Sequence, residues 1–297
     1  MNLELAIFKT VAGAMRLAPN NVVAATTRAI WSSAAKIDTA RADMVKRHQL
    51  RVRPDLTPDE LDAAVKNVFA TYARYYSDTA RLQGLAPTLV DNGFSYEGFE
   101  HIENGHAAGK GVILVLPHIG GWEWAGSWLT KVPGYEVTAV VEPIPNEELR
   151  EWMGTIRETI GMDIVPLGPE VGSVSLRALR EGQILCLMSD RNIGDGGIVV
   201  DFFGEKTELP GGPATLALRT GAAIVPVAVF HHDDKSHAVV LPPVPAEREG
   251  RMRADVARIT QDIAHRLEHL IRINPEQWIV MQPNWPSDFE ATGAPTP

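Results

Sequence analysis

Residues 112–123 read Val112-Ile113-Leu114-Val115-Leu116-Pro117-His118-Ile119-Gly120-Gly121-Trp122-Glu123. The five apolar residues at 112–116 predict a strand buried on both faces. Gly120 and Gly121 permit a tight strand-to-helix turn, and Trp124, Trp128 and Leu129 mark the helix that follows. The same alternation continues toward the C-terminus, with a strand at 137–141. Asn146 can cap a helix whose Leu149, Trp152, Met153, Ile156 and Ile160 recur at 3.6-residue spacing, and Gly161 ends it. A short strand at 164–167 and a short helix carrying Leu176 and Leu179 precede a buried strand at 183–188. A helix at 213–219, a strand at 224–230 and a neighbouring strand at 238–241 follow. Met252, Val256, Ile259, Ile263, Leu267 and Leu270 line a long C-terminal helix, and residues 278–281 read as a last short strand. This order predicts an α/β fold with a mixed, largely parallel central sheet covered by helices on both faces. Sites in such sheets form at the carboxyl ends of strands.

Upstream, the first hundred residues read as helical. Thr57-Pro58-Asp59-Glu60 combines a capping threonine, a proline suited to the first helical position and a glutamate that closes a capping box. Phe69, Tyr72, Tyr75 and Tyr76 then share one helix face, as core packing or as the wall of a long apolar ligand. The apolar positions Leu5, Phe8, Ala12 and Met15 give residues 2–17 an amphipathic helical pattern. Such a helix packs on its own domain or lies in a membrane interface, where Lys9 and Arg16 suit anionic lipid. The whole chain, 1–297, reads as one domain: a helical part at 1–100, a core at 101–285 and a loose tail at 286–297.

Composition sets the outer limits. Of 297 residues, 45% are apolar and 22% charged, ordinary values for a chain with a sizeable core. Against 28 lysines and arginines stand 37 aspartates and glutamates, a net charge of −9. That balance argues against a nucleic-acid partner, which needs a basic face. The single cysteine, Cys186, excludes a disulfide framework and reads as a small core residue. No run of about 18 apolar residues announces a transmembrane helix.

Two polar clusters fall directly after buried strands. His118 can act as a general base, and Glu123, five residues on, can curl back to fix its tautomer. Ser189-Asp190-Arg191 follows the strand at 183–188, so Asp190 or Arg191 can orient the same crevice or hold a phosphate. Phe202-Phe203-Gly204 reads as an apolar loop. Gly211-Gly212-Pro213 is a glycine-rich helix entry, without the Gly-Lys-Ser/Thr of a phosphate loop. His231, His232, Asp233 and Asp234 read as a solvated hairpin turn. His265 and His269 lie one turn apart on a helix with no evident third metal ligand, so no metal site is expected.

Taken in order, these motifs resemble the bacterial acyltransferases of the lipid A lauroyl and phosphatidylinositol mannoside type. The resemblance runs from about Tyr72 to Trp285. It is carried by Tyr72-Ala73-Arg74-Tyr75-Tyr76, by His118 through Glu123, by Ser189-Asp190-Arg191, by Phe202-Phe203-Gly204, by Gly212-Pro213-Ala214 through Ala222, and by Pro275-Glu276-Gln277-Trp278. It implies an H-x4-D/E site at the mouth of an apolar tunnel and acyl transfer from a thioester to a hydroxyl of a membrane glycolipid. His118 and Glu123 match the catalytic pair. Gly120, Gly121, Trp122, Asp190, Arg191, Phe202, Phe203 and Gly212 are the expected substrate-binding residues, with amides near Gly120 and Gly121 as oxyanion donors. The expected donor is acyl-CoA, a co-substrate, with no further cofactor. The expected partners are the glycolipid acceptor and a membrane surface, at the cytoplasmic face of the cell membrane. The ending at 278–285 lacks the arginines typical of lipid A enzymes, which with the negative charge resembles the mannoside branch more. Competing expectations are a lipid A-type acyltransferase, a thioester hydrolase, and a lipid-binding protein of the same fold without turnover.

Overall fold

The structure is a computed structural model that describes residues 38–142, 146–194, 196–233 and 235–293. The amphipathic pattern at 2–17 lies outside the described residues. Helices α1 (Thr39–Val52), α2 (Pro58–Arg81) and α3 (Pro87–Asn92) lead into a four-residue strand β1 (Phe94–Glu97) and helix α4 (Glu100–Ala107). The capping box forms as expected: the Thr57 N–H donates to Glu60 Oε2 at 2.9 Å, and Glu60 N–H returns a longer bond to Thr57 Oγ1.

Strands and helices alternate thereafter. Strand β2 (Val112–Leu116) is followed by α5 (Trp122–Lys131), β3 (Val137–Val141), α6 (Glu147–Thr159), β4 (Met162–Pro166), α7 (Val171–Arg180) and β5 (Ile184–Met188). A hairpin of β6 (Ile198–Phe202) and β7 (Glu205–Leu209) precedes α8 (Gly212–Thr220), β8 (Ala223–His232), β9 (Lys235–Val240) and the long α9 (Met252–Ile273). The main sheet has seven strands in the order β1-β9-β8-β2-β5-β3-β4. Strands β8, β2, β5, β3 and β4 are parallel, while β9 pairs antiparallel with β8 and β1 runs parallel to β9.

Strand β2 is central, and its side chains alternate between two cores. Ile113 and Val115 join Leu185, Leu187, Phe202, Ile263 and Trp285 on one face. Val112, Leu114 and Leu116 join Val225, Val227, Trp128 and Ile160 on the other. Burial of each such side chain is worth roughly 1.5–3 kcal/mol, so a continuous apolar run is the composition this position demands.

Three sequence expectations need correction. Residues 278–281 form no strand. Trp278 makes one isolated bridge with Ile119 and is buried in the core. The tail expected to be loose contains helix α10 (Pro286–Thr292). Its Asp288 is fully buried and receives the Arg47 guanidinium at 3.0 Å, His48 Nε2 at 3.1 Å and two backbone N–H groups. This clasp to α1 outweighs the tail's polar composition; residues 294–297 lie outside the described residues. Phe203-Gly204 is the two-residue loop of the β6–β7 hairpin, with both residues at positive φ (51° and 78°), as the twist of such a turn requires.

Candidate active site

Strands β2 and β5 are neighbours, yet their connections leave in opposite directions. The chain from β2 passes through α5 to β3 on one side, and the chain from β5 passes through α8 to β8 on the other. A crevice opens at the carboxyl ends of strands where the order reverses in this way. The register pairs Leu116 with Met188, so the residues two further on, His118 and Asp190, stand opposite each other at that crevice.

They meet. His118 Nδ1 lies 2.6 Å from Asp190 Oδ1, and the His118 backbone N–H donates to Asp190 Oδ2 at 2.8 Å. The Trp278 indole N–H also donates to Oδ2, at 2.7 Å, and Asn284 Nδ2 donates to the Asp190 carbonyl at 2.9 Å. Burial alone would raise the Asp190 carboxyl. The facing imidazole and the three hydrogen bonds outweigh it and hold the group below its usual range. Asp190 is fully buried while the His118 side chain keeps 28% of its surface open. A carboxylate on Nδ1 fixes the tautomer that leaves Nε2 free to take a proton.

The expected pairing of His118 with Glu123 does not form. Glu123 is buried in the first turn of α5. Its Oε1 accepts the Tyr75 hydroxyl at 2.5 Å and the Arg157 guanidinium at 3.1 Å. Burial raises the Glu123 carboxyl despite these partners. A permanent cation on α6 and a phenol on α2 compete for this carboxylate better than a neutral imidazole, and Asp190 already occupies the imidazole's Nδ1. Arg157 also lies over the Trp122 ring, 5.2 Å from its centroid. Sequence spacing offered no sign of Arg157, Trp278 or Asn284 at the site. Tyr75 was visible on an aromatic helix face and in the Tyr72–Tyr76 segment of the resemblance, with no sign of its bond to Glu123.

The remaining expected residues divide. Gly120 sits at φ +58°, and a Cβ there would stand 1.7 Å from the Val229 carbonyl oxygen, so the turn admits only glycine. Its N–H donates to the Gln277 carbonyl at 3.4 Å, which removes it as an oxyanion donor. The amides of Gly121 and Trp122, at the N-terminus of α5, remain available among the described residues. Arg191 donates to Glu142 Oε2 at 2.6 Å, beside the crevice at the end of β3. Phe202 and Phe203 are buried; Phe202 stacks on Trp285, and the Phe203 ring lies 6.0 Å from that of Trp278, whose indole donates to Asp190. Gly212 opens α8 at an exposed position. His231, expected in a solvated turn, is buried, and Gln277 brackets its backbone N–H and C=O at 2.7 and 2.8 Å.

Beside the crevice lies a small apolar cavity. Its lining includes Leu116 and Trp122, which bracket the His118 loop, and Cys186, whose thiol burial pushes up to about 12. Among the described residues, no helix is long and apolar enough to cross a membrane.

The family described as bacterial lipid A biosynthesis acyltransferase matches residues 5–287. A phosphatidylinositol mannoside acyltransferase of Mycolicibacterium smegmatis is 33% identical over 250 residues, covering 83% of this chain and 80% of that protein. One from Mycobacterium tuberculosis is 34% identical over 250 residues, covering 81% and 75%. A lipid A biosynthesis acyltransferase of Haemophilus influenzae is 27% identical over 162 residues, covering 53% and 50%.

Proposed function

The chain belongs to the bacterial lipid A biosynthesis acyltransferase family, and from that premise we propose that it moves a fatty acyl group from acyl-CoA to a sugar hydroxyl of a glycolipid, with His118 as the general base. The observation that carries this reading is the His118–Asp190 pair at the rim of an apolar cavity.

Asp190 accepts the Nδ1–H bond and holds Nε2 toward the crevice. Nε2 takes the proton of the sugar hydroxyl as its oxygen attacks the thioester carbonyl. The buried carboxylate stabilises the imidazolium that forms. The Gly121 and Trp122 amides, at the positive end of α5, face the developing oxyanion. Collapse of the tetrahedral intermediate breaks the carbon–sulfur bond, and the imidazolium returns its proton to the leaving thiolate. The acyl chain lies in the apolar cavity, and Arg191 supplies positive charge at the same end of the sheet. Glu123, with Arg157 and Tyr75, holds α5 in place and is a positioning residue in this scheme. No nucleophilic side chain is required.

Phosphatidylinositol mannoside, or a related inositol or sugar lipid, is the proposed acceptor. The mycobacterial relatives, more similar than the Haemophilus one, support it. The proposed place of action is the cytoplasmic surface of the cell membrane, with peripheral attachment. Incubation of the purified protein with palmitoyl-CoA and a mixed glycolipid extract, followed by mass spectrometry of the lipids, tests this. One glycolipid species gains a palmitoyl mass as the thioester is consumed. Free fatty acid without an acylated lipid would make the protein a hydrolase. Glycolipid binding with no loss of thioester would make it a binding protein.

A further inference from the structure

Strand β8 outlasts its neighbour. The β2–β8 ladder ends with Val115 opposite Pro226, yet β8 continues to His232. Strand β9 pairs with one edge of β8 over that whole extension. On the other edge the chain from β2 turns away, so the backbone groups there need other partners. Gly120 closes on the Val229 carbonyl. At His231 a side chain takes the place of a strand. Gln277 Oε1 accepts the His231 N–H at 2.7 Å, and Gln277 Nε2 donates to the His231 carbonyl at 2.8 Å. An amide side chain offers the same donor and acceptor as a peptide unit, so Gln277 extends the sheet where β2 has left it.

The backbone around the same residue holds the catalytic turn. The Gln277 carbonyl accepts the Gly120 N–H at 3.4 Å, and the Ile279 N–H donates to the His118 carbonyl at 2.9 Å. Between them, Trp278 bridges Ile119 and sends its indole N–H to Asp190. Residues 277–279 thus run along 118–120 like a short strand. Helices α1 and α2 grip the preceding residues from outside. Glu276 accepts Arg53 Nη1 at 3.1 Å and Asn67 Nδ2 at 2.6 Å, and Gln49 Nε2 donates to the Pro275 carbonyl at 2.7 Å. The Pro275-Glu276-Gln277-Trp278 motif is therefore a strap between the helical layer and the turn, and Gln277 bonds both the turn and β8.

On the reading that His118 is the general base, we infer that Gln277 is a positioning residue: its two-point bond to His231 fixes the turn at 118–121 against β8 and so aims the His118 imidazole and the Gly121 amide. It acts through the turn and not on the reacting atoms. Without the clamp the turn can slide along the free edge of β8, and a displacement of about 1 Å at reacting groups costs roughly 10²-fold in rate.

The test is steady-state acyl transfer from palmitoyl-CoA to the glycolipid extract by the intact chain, for wild type, Gln277→Met, Gln277→Glu and Thr57→Ala, with hydrogen exchange of the backbone amides. Methionine keeps the length of the side chain and removes both bonds. Glutamate keeps an acceptor for the His231 N–H and has no hydrogen for the His231 carbonyl. Thr57→Ala weakens the distant cap of α2 and serves as the control for lost stability. Gln277→Met lowers kcat by roughly 10²-fold and leaves KM for palmitoyl-CoA unchanged. Its Gly120 amide exchanges faster relative to the amides of β2, which general destabilisation would speed equally. Thr57→Ala keeps the wild-type kcat. A folded Gln277→Met with wild-type kcat, a loss confined to KM, or an equal loss of kcat in Thr57→Ala overturns the clamp and leaves the proposed function standing. If Gln277→Met does not fold, Gln277→Glu is read by the same outcomes. A wild type that transfers no acyl group overturns the proposed function and this inference with it.

Discussion

His118 Nδ1 sits 2.6 Å from Oδ1 of Asp190, a residue 72 positions further along the chain and fully buried. The parallel register of β2 and β5 creates this contact, and the Trp278 indole holds the second oxygen. The acid that orients the histidine thus lies just past the end of the neighbouring strand, not on the helix that follows the histidine.

Asp190→Asn tests that assignment. An amide keeps the shape but cannot stabilise an imidazolium, and it can leave the ring in the wrong tautomer. Acyl transfer falls by roughly 10³–10⁴-fold in kcat, while Glu123→Gln loses far less. Steady-state kinetics on the two variants separates the roles; equal losses would return Glu123 to the catalytic pair.

Glu123→Ala tests the other half. It leaves the Arg157 guanidinium buried without its carboxylate, a change that costs about 3–5 kcal/mol. Denaturant unfolding of wild type and variant measures it. Glu123→Gln keeps a hydrogen-bond acceptor for Tyr75 and Arg157 and loses less.

His231 gives a pH signature of the fold. Burial, with Arg74 adding to it, lowers its imidazole to about 3, against about 6.5 in an unfolded chain. Between those values the unfolded state binds a proton that the native state does not, so stability falls as pH falls from about 6.5 toward 3. His231→Gln flattens that part of the curve in a pH series of thermal or denaturant melts. An unchanged slope would mean that other groups drive acid unfolding.

The sheet was legible because burial on both faces leaves a plain mark: runs such as 112–116 and 184–188 have no wet side. The two polar clusters were legible for the same reason, since each directly follows such a run. The pairing between them was not. An H-x4-E spacing draws attention to the nearest carboxylate in sequence, whereas strand register decides the nearest one in space. Arg157 approaches from a segment that carries only helix periodicity, and Trp278, although it closes the Pro275-Glu276-Gln277-Trp278 motif, gives no sign in sequence of its bond to Asp190. Phe202 and Phe203 looked like an apolar loop because a two-residue hairpin turn flanked by short strands has little periodicity. Strand β1 was missed because Phe94–Glu97 is short and mostly exposed, yet it walls the far end of the cavity.

The most direct measurement is acyl transfer by His118→Ala beside wild type, with circular dichroism to show that both are folded. Removal of the base lowers consumption of palmitoyl-CoA and formation of acylated glycolipid together, by at least about 10²–10⁴-fold. A folded His118→Ala protein that transfers acyl groups at the wild-type rate would contradict the account.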